Sequence, residues 1–311
     1  MLTRALPLLV LLLLVLALQA QTGEDPVRFH SRTDLVEVHA VVVDADGHPV
    51  TGLTRDAFEV REDGRVQPLA SFVPAPVAEA GVRAYPRFMV LLLDDWILSP
   101  AATTTVKRLA RRLVEQMQPD DVMAVLTVNG RSSRTSSDKA DALAVIEKFT
   151  PNRSALQTEP WRHTLDVLAD LVRQLAPVPS RKKTLVYIGD ATAFDAKDPV
   201  GQGDDRLYSV AWYDAIKGAS AADISVYLLD PSGLTGRTDD GSKSFTEQTG
   251  GASFANSNHF ERDADRIWNE AGSYYLLGYA VPSETGGRSR THTISVTVTK
   301  PGLTVRARRT R

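Results

Sequence analysis

FMVLLLDDWILSP, residues 88–100, runs six apolar residues into two aspartates. Six apolar residues in succession, with no polar alternation, are the pattern of a strand buried on both faces. Two aspartates end it. Ser99 and Pro100 then supply an N-cap and a first helical residue for a segment in which Val106, Leu109, Ala110, Leu113, Val114 and Met117 share one helical face. A buried strand running through a short acidic turn into an amphipathic helix is half of a β-α-β unit.

The same texture continues downstream. VMAVLTV (122–128), TLVYIGD (184–190) and ISVYLLD (224–230) read as further strands. Helices fall between them, over SSDKADALAVIEKF, along the stripe Trp161, Leu165, Leu168, Val172 and Leu175, and over LYSVAWYDAIKGASAAD. SFTEQTGG closes a short helix at glycine, FERDADRIWNEA gives the last helix, and YYLLGYA reads as a closing strand of the same unit, with Tyr274, Tyr275 and Tyr279 in its packing. Alternation of this kind predicts an α/β fold with a mostly parallel, doubly wound sheet covered by helices, over residues 86–281.

Both ends of the chain differ from this middle. Residues 33–78 carry short alternating runs around turns at Asp46-Gly47 and Asp63-Gly64, a small β module, and PAPVAEAGVRAYP reads as the linker that follows. Residues 290–311 alternate again in THTISVTV and LTVRARR, on either side of Lys300-Pro301-Gly302. Two strands alone are marginal, so the C-terminal pair is expected to join the N-terminal module in one small sandwich-like β domain. Arg306, Arg308, Arg309 and Arg311 alternate with Val305 and Ala307 and read as the wet face of an edge strand.

Composition bounds the function. The 311 residues are 43% hydrophobic and 24% charged, ordinary for globular domains, and a net charge of −2 gives no field that would draw the chain to nucleic acid. Residues 1–20, MLTRALPLLVLLLLVLALQA, have the layout of a secretory signal peptide, with an uncleaved anchor as the alternative. No later segment is apolar enough to span a membrane, so the expected location is periplasmic or extracellular, with association to the cell envelope open. The chain has no cysteine, which removes disulfides, thiol catalysis and thiolate zinc sites. Gly-x-Ser-x-Gly, phosphate-loop and dinucleotide fingerprints are absent, and the six histidines show no ligand spacing. No enzyme activity is therefore expected. Asp44-Ala-Asp46-Gly47 lacks the spaced ligands of a calcium loop and reads as a hairpin turn.

Several of these segments together resemble a known family. VVVDADGHPVTGL, DAFEVREDGRVQPLASF, FMVLLLDD, SRKKTLVYIGD, TGGASFAN, SYYLLGYA and HTISVTVTKPGLTVRAR, in this order from about residue 33 to the end, resemble the exported bacterial von Willebrand factor A-related proteins first catalogued in Acidobacteria. The resemblance implies a Rossmann-like von Willebrand factor A sheet, and protein binding or adhesion through a metal-ion-dependent site at the strand ends. In metal-binding von Willebrand factor A domains the first strand ends in Asp-x-Ser-x-Ser, a later loop gives Thr, and another strand ends in Asp. Asp94 matches the first Asp and Asp190 the last. The serine places hold Trp96 and Leu98; starting from Asp95 instead recovers Ser99 alone. Thr158 or Thr164 could supply the loop hydroxyl.

The resemblance thus implies a degenerate site for Mg²⁺ or Mn²⁺ made of Asp94, Asp190, Ser99, Asp95 and Thr158. The contact surface for an unidentified protein partner would be Asp94, Asp95, Ser99, Asp190 and Thr192. Set against it, the paired aspartates could cap the helix that begins near Pro100. Two other functions stay open: a structural module of the cell envelope without metal, and, more remotely, a metal-assisted hydrolase.

Overall fold

A computed structural model describes residues 33–75, 86–151, 160–178, 182–194, 205–235, 239–282 and 291–311. The expected signal peptide, nearly all of the linker and Thr158 lie outside these residues.

The N-terminal module supplies four strands, β1 (Thr33–Val43), β2 (Phe58–Glu62), β3 (Arg65–Gln67) and β4 (Leu69–Val73). The Asp63-Gly64 turn joins β2 to β3 with both residues at positive φ, 48° and 77°, the backbone that a two-residue hairpin requires. The middle of the chain gives β5 (Phe88–Leu93), β6 (Val122–Thr127), β7 (Lys183–Ile188), β8 (Ile224–Leu229) and β9 (Ser253–Phe254), all parallel, in the order β6-β5-β7-β8-β9. Strands β5, β7 and β8 are buried at all six positions, which is why the sequence shows apolar runs there and no alternation.

Among the described residues, six helices cover this sheet: α1 (Thr103–Glu115), α2 (Lys139–Glu147), α3 (Pro160–Leu175), α4 (Asp205–Ala221), α5 (Asp240–Gln248) and α6 (Phe260–Gly272). One face packs on α1, α2 and α6 through Leu109, Ile146 and Trp268; the other packs on α3, α4 and α5 through Leu168, Ile216 and Phe245. Asp138 caps α2, accepting from the N–H of Ala140 at 2.9 Å. At α1 the expected start shifts. Pro100–Ala102 form a 3-10 turn before the helix opens at Thr103, and the Ser99 side chain makes no capping bond.

The chain ends with β10 (Tyr275–Pro282), β11 (Ile294–Val298) and β12 (Thr304–Arg306). The reading of YYLLGYA as the last strand of the α/β unit is corrected here. β10 runs antiparallel between β1 and β4, in the sheet β12-β1-β10-β4, so the α/β unit ends with α6 rather than at residue 281. Its apolar run fits either sheet, and only the pairing partner tells them apart. β11 joins β2 and β3 in a second sheet, and β12 pairs with β1. The two antiparallel sheets enclose a core of Val38, Val42, Val60, Tyr275, Leu277 and Tyr279. One β domain is thus made from both ends of the chain, as the lone C-terminal strand pair required.

This β domain docks on the N-terminal ends of the parallel strands. Arg306 donates to both oxygens of Glu270, at 2.5 and 2.6 Å, and the Tyr227 hydroxyl donates to Glu270 at 3.0 Å. Arg308 bridges the carbonyls of Ser220 and Glu37 at 2.8 Å each, and Arg309 pairs with Glu247 at 2.9 Å. The wet-edge reading holds for Arg309, which stays exposed, and is corrected for the others: Arg306 and Arg308 fasten one unit to the other, and Arg311, with Glu62 at 2.7 Å, fastens the β domain to itself. The Thr-Gly-Gly after α5 serves the same joint. Gly250 has φ +80°, and a Cβ there would lie 2.7 Å from the Arg308 backbone nitrogen.

Candidate functional site

The strand order places β6 on one side of β5 and β7 on the other, so the winding reverses between β5 and β7. In open α/β sheets ligands meet the carboxyl ends of the strands at such a reversal. Asp94 follows β5 and Asp190 follows β7. The β domain sits at the opposite end of the sheet.

The two aspartates differ in what they face. Asp94 is 0% exposed. Its Oδ1 accepts from the N–H of Trp96 at 2.8 Å and of Ile97 at 2.7 Å, and its Oδ2 accepts from the Tyr187 hydroxyl. These bonds fold the Asp94–Ile97 turn on itself; they do not cap α1. Burial pushes the Asp94 carboxyl up to about 6, against the opposing pull of Tyr187 and the two N–H groups. Burial likewise pushes the Tyr187 phenol well up, helped by the Asp94 charge. Gly189 leaves room for this ring, since a Cβ there would lie 2.3 Å from Tyr187 Cζ.

Asp95 is also buried, and its Oδ1 accepts from the N–H of Asn129 at 2.9 Å, tying the turn to the loop after β6. Asp190 is half-buried; its Oδ1 accepts from the N–H of Thr192 at 2.9 Å and from the Thr192 hydroxyl at 2.7 Å. Ser99 is exposed, and Thr164 is buried within α3. The fold therefore brings Asp94, Asp95, Asp190 and Thr192 to one end of the sheet, with only Asp190 and Thr192 reaching solvent.

One residue of this cluster was missed in the sequence. Asp230, after β8, accepts from the N–H of Ala191 at 3.0 Å and of Ser232 at 2.8 Å, so it holds the loop that carries Asp190 and Thr192. Burial raises its carboxyl, and the Asp190 charge adds to the rise. The signal was present: ISVYLLD ends an apolar run in aspartate just as LVYIGD does. Trp96 is the other unforeseen member. It packs against His163 with ring centroids 4.6 Å apart, and its indole N–H is enclosed without a hydrogen-bond partner among the described residues.

Mg²⁺ and Mn²⁺ need several open oxygen ligands around an octahedron. Asp94 spends both oxygens on donors and shows none to solvent, and Trp96 and Leu98 offer no oxygen in place of the serines. The residues present do not fit a Mg²⁺ or Mn²⁺ site built on Asp94.

No family model matches the chain, and no curated protein matches it. Among solved structures it is similar to the conserved hypothetical protein BatB of Bacteroides thetaiotaomicron, with 16% identity over 60% of this chain and 98% of that one and a TM-score of 0.40. It is also similar to the human COPII-coat protein Sec24c, with 8% identity over 73% of this chain and 44% of that one and a TM-score of 0.36. A third likeness is to the pilus adhesin SpaC of Lactobacillus rhamnosus GG in its open conformation, with 9% identity over 84% of this chain and 48% of that one and a TM-score of 0.36. The chain spans less than half the length of the last two. Likenesses of this size carry no argument about family or function. The fold itself defines the class: a doubly wound parallel α/β unit, closed at one end by a two-sheet β domain drawn from both chain termini.

Proposed function

We propose that this is an exported, non-catalytic binding protein of von Willebrand factor A type, and that it holds a protein partner at the β5/β7 end of the parallel sheet. One observation carries the reading: the β domain covers the N-terminal ends of the strands and leaves the winding reversal clear of itself. A rigid sheet presenting loops at a free end is the arrangement on which binding surfaces are built. The contact surface on this reading is Asp190, Thr192 and Ser99, with Trp96 as an aromatic anchor beside them. Asp94, Asp95 and Asp230 lie beneath it and shape the loops, and the contact needs no bridging metal. Buried as they are, these carboxylates cannot touch a substrate, which is why a hydrolase is not proposed.

Photo-crosslinking side chains placed at Ser99 and Thr192 in the full-length protein, expressed in its own host, test this. A discrete adduct at both positions, lost when Asp190→Lys is added and unchanged by chelator, is the expected result. Adducts confined to crosslinkers on the β domain would move the interface there, and adducts that chelator abolishes would restore the metal-bridged contact.

A further inference from the structure

The six histidines show no metal spacing in sequence, yet the fold brings one of them to two carboxylates 229 and 230 residues away. His292 stands just before β11, beside the β2–β3 hairpin. Its Nδ1 lies 2.7 Å from Asp63 Oδ2 and 3.4 Å from Glu62 Oε1. A nitrogen or oxygen from each of the three lies within 4.8 Å of the other two.

The state of Glu62 is the second observation. This side chain is 7% exposed, its Oε1 accepts from Arg311 at 2.7 Å, and the Tyr279 hydroxyl is the neighbouring donor to the carboxylate. A carboxylate offers about four lone-pair sites, so an enclosed one served by two donors can still ligate a cation. Arg311 and Tyr279 orient the carboxylate, as hydrogen-bonded ligating carboxylates are oriented in metal sites.

Zinc binds imidazole and carboxylate at roughly 2.0–2.2 Å in a tetrahedron, which sets ligand-to-ligand edges of roughly 3.3–3.6 Å. The 3.4 Å separation of His292 Nδ1 from Glu62 Oε1, the oxygen that also accepts from Arg311, already fits. The 2.7 Å contact with Asp63 would need to open by roughly 0.7 Å. Asp63 can move, because its side chain is 53% exposed at a hairpin turn. Its Oδ1 is held by the N–H of Thr293 at 2.9 Å, which leaves Oδ2 for the ion.

We propose that Glu62, Asp63 and His292 form a site for a borderline-soft divalent cation of the Zn²⁺ class, with its fourth position open. The imidazole nitrogen and the small number of ligands favour zinc over magnesium, which demands more oxygens. The ion would pin the β2–β3 hairpin to the start of β11. It would also give the β domain an open coordination position, at a place unrelated to the end of the parallel sheet.

The test uses full-length protein stripped with chelator and titrated with Zn²⁺ alone, read by calorimetry and by thermal unfolding. One saturable equivalent that raises Tm is expected. Binding should weaken at least tenfold in Asp63→Asn and in His292→Gln, and should persist in Asp190→Ala. His292→Gln retains a hydrogen-bonding group facing Asp63; should that variant still fail to fold, Asp63→Asn at an exposed position carries the same comparison. No saturable binding, wild-type affinity in both variants, or Mg²⁺ binding as tightly as Zn²⁺ would each overturn the assignment.

Discussion

Two carboxylates, Asp94 and Glu270, are each 0% exposed and each touched by a buried tyrosine hydroxyl, yet they sit at opposite ends of one parallel sheet in opposite electrostatic settings. Glu270 meets the Arg306 guanidinium squarely, and the Lys182 ammonium donates to its carbonyl oxygen at 3.3 Å. Asp94 meets only neutral donors, with the like charge of Asp95 beside it. The first is a charged joint between two units. The second is a carboxyl whose proton is held more tightly than usual, beneath a loop. A buried carboxylate is therefore not a role in itself; the cation brought to it, or withheld, decides what it does.

Removing the cation from Glu270 should have the largest effect. Arg306→Met leaves Glu270 enclosed without its partner and should cost about 3–5 kcal/mol in urea unfolding, while Arg306→Met combined with Glu270→Leu should recover most of it. A cost below about 1 kcal/mol for the single variant would mean that the joint is solvated.

Next in size is the response to pH, where the two ends should act with opposite sign. The folded Asp94 carboxyl lies at about 6 against an ordinary 3.8, so the folded state holds its proton more tightly. Its contribution is present below about pH 4 and is lost as pH rises through about 6, a change on the order of 2–3 kcal/mol. Asp94→Asn should flatten that limb. Burial lowers the Lys182 ammonium to about 8 from 10.5, against the raising pull of Glu270. A lowered lysine makes stability rise between about pH 8 and pH 10.5, and Lys182→Met should remove the rise. Chemical denaturation at a series of pH values reads both limbs, and a flat profile at either end would undo the account of that end.

A smaller effect separates the tyrosine from its acid. Tyr187→Phe removes the donor to Asp94 Oδ2 and should cost about 1–3 kcal/mol, more at pH 8 than at pH 5, because the ionised carboxylate needs that donor most. An equal cost at both pH values would place the loss in packing. Smallest of all is Asp190→Ala. The side chain is half-buried and bonded mainly within its own loop, so stability should change by about 0.5 kcal/mol while partner crosslinking at Thr192 falls. A larger stability loss would make Asp190 part of the scaffold, as Asp94 is.

Much of this could be read from the sequence because it is local. Unbroken apolar runs fix strands buried on two faces, 3.6-residue stripes fix the covering helices, and Asp63-Gly64 fixes a hairpin turn. Apolar strands ending in aspartate put Asp94 and Asp190 at one end of the sheet, because parallel strands all end on the same side. What the tertiary structure alone decided is pairing across distance. YYLLGYA has the same apolar pattern wherever it lies, and only its antiparallel neighbours β1 and β4 place it in the β domain. Arg306 and Arg308 look wet until Glu270 and the carbonyls of Ser220 and Glu37 arrive from other elements. Asp94 looks like a metal ligand until the Tyr187 hydroxyl, 93 residues away, closes on it. Periodicity reports which way a residue faces along its own element, and a charge or hydroxyl acquires its function from whatever partner the fold brings within about 3 Å.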